Sequence, residues 1–424
     1  MNLIAHPSRV AGRASVPASK SHTIRAAFFA ALADGESVVE APLASADADA
    51  ALGAVRAFGA EVEAAPEAWR VKGLAGRPRA CEIDTANSGT TMRLACGVAA
   101  LGGGATRLTG DAQVQKRPVG PLLDALTFLG ARAQSLEKNG CPPALVAGPL
   151  AGGRAELACP TSQFLTSLLI ACPLATGDSE ILVTELNERP YVEMTLRWLD
   201  ALGIRYERDA DLTRLRVPGG QSYPAFTRRV PADWSSATFF LAAAAVTGGE
   251  VELTGLDLDD AQGDKAVLDY LEAMGATVER SSEAIRLRGG ALACAHLDLN
   301  ATPDALPAMA VAAAFAEGET QLANVPQARL KETDRIAVMA AELGKLGVAC
   351  EELPDGLVVR GRGAGGVAGG RVAGHGDHRV VMALAVAGLA AREAVSVEDA
   401  EAMAVTFPDF VERMAALGAR LERA

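Results

Sequence analysis

Aromatic side chains are scarce in this chain of 424 residues, at 4% of the total. A core made without them has to be built from Ala, Val and Leu, and the 50% hydrophobic content supplies enough of these. Long apolar runs are also missing. The longest, such as Val380 to Ala391, reach 12 residues, well short of the ~20 a membrane-spanning helix needs. Met1 to Val10 hold neither an apolar stretch nor a cleavage pattern, so no secretory signal is expected and the cytoplasm is the expected compartment. The seven cysteines (81, 96, 141, 159, 172, 294, 350) are odd in number and never spaced C-x-x-C. That excludes a disulfide framework and a zinc ribbon, and six of the seven read as small buried hydrophobes. Of five histidines only His375 and His378 stand close together, without a third ligand, so no metal site is expected. Basic surplus is absent too. A net charge of −12 argues against nonspecific nucleic-acid binding and makes any local cluster of cations informative.

What the chain does have is a period. A bulky apolar residue, a glycine and a smaller or branched apolar residue recur six times: Phe58-Gly59-Ala60, Leu129-Gly130-Ala131, Leu202-Gly203-Ile204, Met274-Gly275-Ala276, Leu346-Gly347-Val348 and Leu417-Gly418-Ala419. The glycines lie 71 to 73 residues apart, so six units fill the chain. Each unit reads as a glycine turn, a short β-branched strand, a loop and an amphipathic helix that stops at the glycine. A second strand follows, and most units add a second helix rich in Ala and Leu. Val267, Leu268, Leu271 and Met274 make the helical stripe of the fourth unit, with Thr277-Val278-Glu279 as its following strand. The expected fold is α/β: two similar lobes of three repeated α/β units around a pseudo-threefold axis, helices packed inside. The lobe boundary is expected between Arg228 and Asp233, with Pro231-Ala232-Asp233 as a hinge strand. Residues 1–18 precede the first full unit and can supply a strand missing from either lobe.

Chemistry breaks the repeat at a few places. Ser19-Lys20-Ser21-His22-Thr23-Ile24-Arg25 leads into a helix and offers hydroxyls, N–H groups and cations to an anion. Asn87-Ser88-Gly89-Thr90-Thr91-Met92-Arg93 combines a glycine, which allows close backbone approach, with helix-start hydroxyls. Gln115-Lys116-Arg117-Pro118 sets two cations beside a proline expected to start a helix. Thr161-Ser162-Gln163 opens a further helix. Each of these also reads as an ordinary cap, turn or surface charge. Asp304, in the apolar stretch Ala301 to Pro307, reads either as a helix cap or as a base. In Lys331-Glu332-Thr333-Asp334-Arg335 the cations at i and i+4 share one helical face, which reads as an exposed ion-pair face or as a site. Gly376-Asp377-His378-Arg379 opens a strongly apolar helix. Nearly all these motifs stand at helix starts, where the helix dipole adds to the attraction for anions. Two lobes whose basic ends face each other would make a cleft for small polyanions.

In sequence and order, from Ser19 to about Arg413, these motifs resemble the enolpyruvyl transferase family, in its branch that uses shikimate-3-phosphate. The resemblance implies transfer of the enolpyruvyl (carboxyvinyl) group of phosphoenolpyruvate to the 5-hydroxyl of that acceptor, with release of phosphate, on the path to chorismate and aromatic amino acids. It implies the enolpyruvyl transferase fold, with residues 1–18 and 231–424 in one lobe, 19–230 in the other, and the active site between them. Lys20, Ser21, Arg25, Thr161, Ser162, Gln163, Arg189, Asp304, Gln327 and Lys331 would bind shikimate-3-phosphate. Lys20, Gly89, Arg117, Gln163, Arg335 and Arg379 would enclose phosphoenolpyruvate. Asp304 would act as base, Glu332 as acid, and Lys20 would assist them. No metal or organic cofactor, nucleic acid or membrane is implied; the enzyme would work as a monomer, and neither lobe alone would be active.

The chain departs from the family pattern twice. Val405 stands before Thr406-Phe407-Pro408 where many members have Lys, and Glu188 stands before Arg189-Pro190-Tyr191 where many have Ser. Other branches lack that Lys and use an Arg near the phosphate, here Arg189. Three alternatives stay open on the residues. An enolpyruvyl transferase for UDP-N-acetylglucosamine would carry a Cys in the loop before Arg117, and Gly110 to Arg117 has none. An RNA 3′-phosphate cyclase-like enzyme would need a nucleophilic His near the C-terminus. An inactive paralogue would have no reason to keep both Asp304 and Glu332.

Overall fold

The computed structural model describes residues 1–424. All six recurring glycines have positive φ: Gly59 113°, Gly130 94°, Gly203 70°, Gly275 106°, Gly347 84° and Gly418 91°. Each closes a helix. The residue after each glycine sends its N–H back five positions, Ala60 to Val55, Ala131 to Leu126, Ile204 to Leu199, Ala276 to Leu271, Val348 to Leu343 and Ala419 to Met414, at 2.9–3.1 Å. This is a Schellman closure, which brings the residue after the glycine toward one in the last turn. All twelve side chains in these pairs are buried. The triplet is therefore one helix stop used six times, and only glycine takes its middle position without strain.

Twelve α-helices result: α1 (Lys20–Leu32), α2 (Ala46–Phe58), α3 (Gly89–Ala99), α4 (Gly120–Phe128), α5 (Gln163–Ala171), α6 (Arg189–Ala201), α7 (Trp234–Thr247), α8 (Val267–Ala273), α9 (Leu306–Ala314), α10 (Arg335–Lys345), α11 (His378–Ala390) and α12 (Phe410–Ala416). The odd-numbered helices are rich in small and apolar residues beyond their first turns and are buried on nearly every side, as a helix surrounded by protein must be. All nine residues of α9 and thirteen of the fourteen of α7 are buried. The even-numbered helices end at the glycines and bury one face.

The chain divides into two compact units, Met1–Ser19 with Pro231–Ala424, and Lys20–Val230. Each contains three four-stranded sheets, and all six sheets have the same plan: one parallel pair, then two antiparallel steps. In the unit Lys20–Val230, for example, Glu82–Asp84 runs parallel to Thr106–Thr109, which pairs antiparallel with Ala144–Ala147, itself antiparallel to Arg132–Ser135. In the other unit α7, α9 and α11 contact one another pairwise. Close helix approach relies on small residues. A Cβ on Gly97 of α3 would lie 2.5 Å from Ser167 Oγ of α5, which donates to the Arg93 carbonyl at 2.7 Å.

The structure corrects several sequence expectations. Each repeat announces two strands but its sheet has four. The extra ones are short and alternate, as in Ala68–Lys72, where only Trp69 and Val71 are buried. Residues 1–18 supply two strands, both in the unit that contains the C-terminus. Leu3–His6 lies between Val395–Glu398 and Arg420–Arg423, and Ala11–Ser15 runs beside Glu250–Thr254. Pro231–Asp233 is no strand; it makes one bridge, Ala18 to Ala232. Pro231 has no N–H to give, and Asp233 caps α7 by accepting from Ser236 N at 3.0 Å. Of the cysteines only Cys96, Cys159 and Cys172 are buried, while Cys294 is exposed. Burial pushes the thiols of those three up to about 12, which leaves them unreactive.

Candidate active site

In the unit Lys20–Val230 the buried helices α1, α3 and α5 all start on polar motifs. Lys20 opens α1, and its Nζ lies 3.1 Å from Asp47 in the first turn of α2. Arg25, one turn on, is 2% exposed. Its guanidinium donates to Thr195 Oγ1 (2.9 Å), Thr166 Oγ1 (3.3 Å) and the Ser21 and Tyr191 carbonyls (3.0 and 2.9 Å), tying α1 to α5 and α6. Ser88 caps α3 by accepting from Thr91 N, so Gly89 and Thr90 form its first turn. Gln163, the first residue of α5, bridges to α3: Arg93 Nη1 donates to its Oε1 at 2.6 Å, and its Nε2 donates to Thr90 Oγ1 at 3.1 Å. Arg117 reaches Asn87 Oδ1 through Nη2 at 3.4 Å. A Cβ built on Gly89 would lie 2.7 Å from Arg117 Nη1 and 3.1 Å from Arg93 Nη1. Two guanidinium groups thus converge on the bare face of Gly89, with the Gln163 amide alongside. The proline near Arg117 plays another part than expected. Helix α4 begins at Gly120, with Pro121 rather than Pro118 in its first turn.

Thr161 and Ser162, just before α5, present their hydroxyls and the Ser162 N–H to the Glu188 carboxylate. Arg189 points elsewhere: its Nη2 donates to Glu193 and to the Ala210 carbonyl, and its side chain is 44% exposed.

In the other unit Arg335 is the centre. It is 1% exposed and holds three carboxylates. Nη1 donates to Asp304 Oδ1 at 2.7 Å, Nη2 to Glu332 Oε2 at 2.7 Å, and Nε to Asp377 Oδ2 at 2.8 Å. Burial pulls its guanidinium down, but Asp377, Glu332 and Asp304 together outweigh that and keep it charged. Arg379 Nη2 lies 3.0 Å from the second oxygen of Asp304. Asp377 also caps α11 by accepting from Arg379 N. Asp304 is neither cap nor helix interior; it sits in the 3₁₀ turn Pro303–Ala305 ahead of α9. Lys331 and Arg335 do not share a helical face, because Asp334 caps α10 by accepting from Ala337 N and Lys331 falls before the helix. Arg335 is therefore no exposed ion-pair face. Gln327 is buried, donates through Nε2 to the Asn300 carbonyl at 2.9 Å, and leaves its Oε1 without a partner.

Sequence reasoning missed four residues that hold this arrangement. Asp47 carries no local signal beyond helix-start acidity, and Arg93, Glu188 and Asp377 stood inside quoted motifs without a role. A fifth, Glu342, supports the Asp377 segment. It is 1% exposed and accepts from Lys345 Nζ (2.8 Å) and Ala373 N (3.0 Å), with His375 Nε2 at 2.7 Å. Burial pushes its carboxyl up, but the bonds from Lys345, His375 and Ala373 outweigh it and hold it below its usual 4.5. A lowered carboxylate stabilises the fold above the ordinary range and loses that contribution as pH falls through the lowered value. Glu342→Gln should melt at a lower temperature than the parent chain at pH 7, with the gap closing below about pH 4. A gap independent of pH in thermal unfolding would refute the charge-based account. No group of three or more His, Cys, Asp or Glu is placed to hold a metal ion, and no helix is long and apolar enough to cross a membrane.

Two solved structures of EPSP synthase from Acinetobacter baumannii superpose on the chain with a TM-score of 0.83, at 30% and 29% identity, covering 99% and 100% of both chains. The repeat architecture is accordingly that of an enolpyruvyl transferase. Within that class the chain belongs to the EPSP synthase (3-phosphoshikimate 1-carboxyvinyltransferase) family, whose model matches residues 4–414. Proteins named 3-phosphoshikimate 1-carboxyvinyltransferase are similar over nearly its whole length. That of Acetivibrio thermocellus is 50% identical and covers 99% of each chain. That of Ruminiclostridium cellulolyticum is 48% identical over all of both, and one from Halobacterium salinarum is 46% identical over 99% of each.

Proposed function

We propose that the chain transfers the enolpyruvyl group of phosphoenolpyruvate to the 5-hydroxyl of shikimate-3-phosphate, releasing phosphate. The observation that carries the catalytic part is the clasp in which Arg335 holds Asp304 and Glu332 at 2.7 Å each. One carboxyl acts as acid and the other as base, and the cation that aligns them also attracts an anionic substrate. Glu332 gives a proton to the methylene C3 of phosphoenolpyruvate, and C2 becomes cationic. The 5-hydroxyl adds at C2 as Asp304 takes its proton. The tetrahedral adduct then expels phosphate while C3 returns a proton, and the C2–C3 double bond reforms as an enol ether. These steps ask for no metal and no organic cofactor.

Lys20, Gly89, Arg117, Gln163, Arg335 and Arg379 are assigned to phosphoenolpyruvate. The convergence of Arg117 and Arg93 on Gly89 favours a small anion there. Lys20, Ser21, Thr161, Ser162, Gln163, Gln327, Lys331 and Asp304 are assigned to shikimate-3-phosphate, together with Arg189. Arg25 is assigned with them, its guanidinium positioned by its bonds to Ser21, Thr166, Tyr191 and Thr195. The residues assigned to the two substrates fall in both halves of the chain. A single chain supplies all of them, which favours a monomer. Both substrates are charged metabolites that do not cross membranes unaided, which favours the cytoplasm.

The deciding assay measures phosphate release from phosphoenolpyruvate with shikimate-3-phosphate or UDP-N-acetylglucosamine as acceptor. Turnover only with the latter would overturn the reading. Gly89→Ala tests the anion pocket. The added methyl forces Arg117 Nη1, at 2.7 Å, to retreat, so KM for phosphoenolpyruvate should rise about tenfold, the scale of one weakened charge-assisted contact. KM for the acceptor should change less; equal changes in both would count against the assignment.

A further inference from the structure

The cradle made by Thr161 and Ser162 is occupied by the chain itself. One oxygen of Glu188, Oε2, accepts from Ser162 Oγ at 2.7 Å, Ser162 N at 3.1 Å and Thr161 Oγ1 at 3.1 Å. Three donors converging on one oxygen at a helix start are what a phosphate oxygen would meet. Glu188 is 2% exposed, so the carboxylate is not a surface group resting nearby. Its backbone is left-handed, φ 59° and ψ 39°, a conformation a long side chain adopts when its surroundings hold it there. Arg189, the next residue, is turned to Glu193 and the Ala210 carbonyl.

We propose that Glu188 sets acceptor affinity by competing with the acceptor's phosphate for the Thr161–Ser162 donors. In the unliganded chain its carboxylate fills the subsite, and a phosphorylated acceptor has to displace it. The proposal rests on the assignment of Thr161 and Ser162 to the 3-phosphate. A phosphate and a carboxylate cannot share three donors, because like charges at hydrogen-bond distance repel strongly. Binding of any phosphate there therefore carries the free energy of moving Glu188. Glu188 is held by the Thr161 and Ser162 donors that the assignment gives to the acceptor's phosphate, so the competition acts on acceptor binding and not on the chemical step.

Two variants test this. Glu188→Gln keeps length and removes charge; Glu188→Asn is shorter and suits the left-handed backbone. Each is assayed with shikimate-3-phosphate varied at saturating phosphoenolpyruvate, then the reverse, and with inorganic phosphate as an inhibitor competitive with the acceptor. The acceptor KM should fall about tenfold, the scale of one relieved like-charge clash. Inorganic phosphate should inhibit at correspondingly lower concentration, while kcat and KM for phosphoenolpyruvate stay within about twofold. The Gln variant is decisive; if it does not fold, the Asn variant decides alone. An acceptor KM that is unchanged or raised overturns the proposal. Ser162→Ala separates the two possible failures. If it raises the acceptor KM, the cradle assignment stands and only the competition is wrong. If it leaves that KM unchanged, the phosphate assignment fails, and the proposal fails with it.

Discussion

Glu332→Gln should turn over at least about 10²-fold more slowly than the parent chain, the usual share of a positioned acid or base. Gln is close in size and its Oε1 can still accept from Arg335 Nη2, now 2.7 Å from Glu332, so the clasp survives and the proton does not. KM for both substrates should therefore move little, and the loss should appear in kcat. Asp304→Ala should lower kcat by a similar factor for a different reason. It removes the base and also uncovers Arg335 Nη1 and Arg379 Nη2, which now hold its two oxygens at 2.7 and 3.0 Å. Two freed guanidinium groups bind phosphoenolpyruvate at least as well as before, so its KM should not rise. Steady-state kinetics on both variants check the assignment, and near-normal turnover in both would refute it.

The architecture was legible because one backbone requirement repeats. A Schellman stop needs a left-handed residue with an apolar one after it, and glycine meets the first demand so much better than other residues that the pattern survives in all six units. Inner helices such as α7 and α9 were legible for the opposite reason, an absence of charged residues over nine to fourteen positions. Short strands leave no comparable mark. Ala68–Lys72 is read as strand only once its partners Glu36–Glu40 and Glu61–Ala64 are in place. Nor does anything local say that Leu3–His6 joins Val395–Glu398 and Arg420–Arg423, at the far end of the chain. Pairing across such separations depends on the finished sheet, not on the strand.

The site was legible where charge interrupts an apolar helix start, as at Gly376-Asp377-His378-Arg379. It was not legible where the partner is remote. The spacing of Lys331 and Arg335 suggested a shared helical face, but Asp334 caps α10 and separates them. Glu188 registered only as a departure from the family pattern. That its carboxylate reaches back across 26 positions to Ser162 is set by the positive φ at residue 188 and the packing of α5 on α6. Arg25 likewise declared a cation at a helix start, while its four protein acceptors lie on its own helix, on α5 and on α6.

Arg335→Met should be the most damaging single change in the chain. The guanidinium is 1% exposed, and Asp377, to which it donates twice, at 2.8 and 3.2 Å, is fully buried. Removing one partner of a buried ion pair leaves an uncompensated charge, at about 3–5 kcal/mol, and Asp377 also holds the first turn of α11 through Arg379 N. Denaturant unfolding should show a loss of that size, and activity should vanish. Arg335→Lys separates charge from geometry. An ammonium keeps the sign but lacks the planar fork that meets Asp304, Glu332 and Asp377 from three different nitrogens. It should recover much of the stability, because one buried positive charge remains, yet kcat should stay at least about 10²-fold down, since the acid and base are no longer held in register. Full recovery of kcat by Lys would show that Arg335 serves only as a counter-charge and would remove it from the alignment of Asp304 and Glu332.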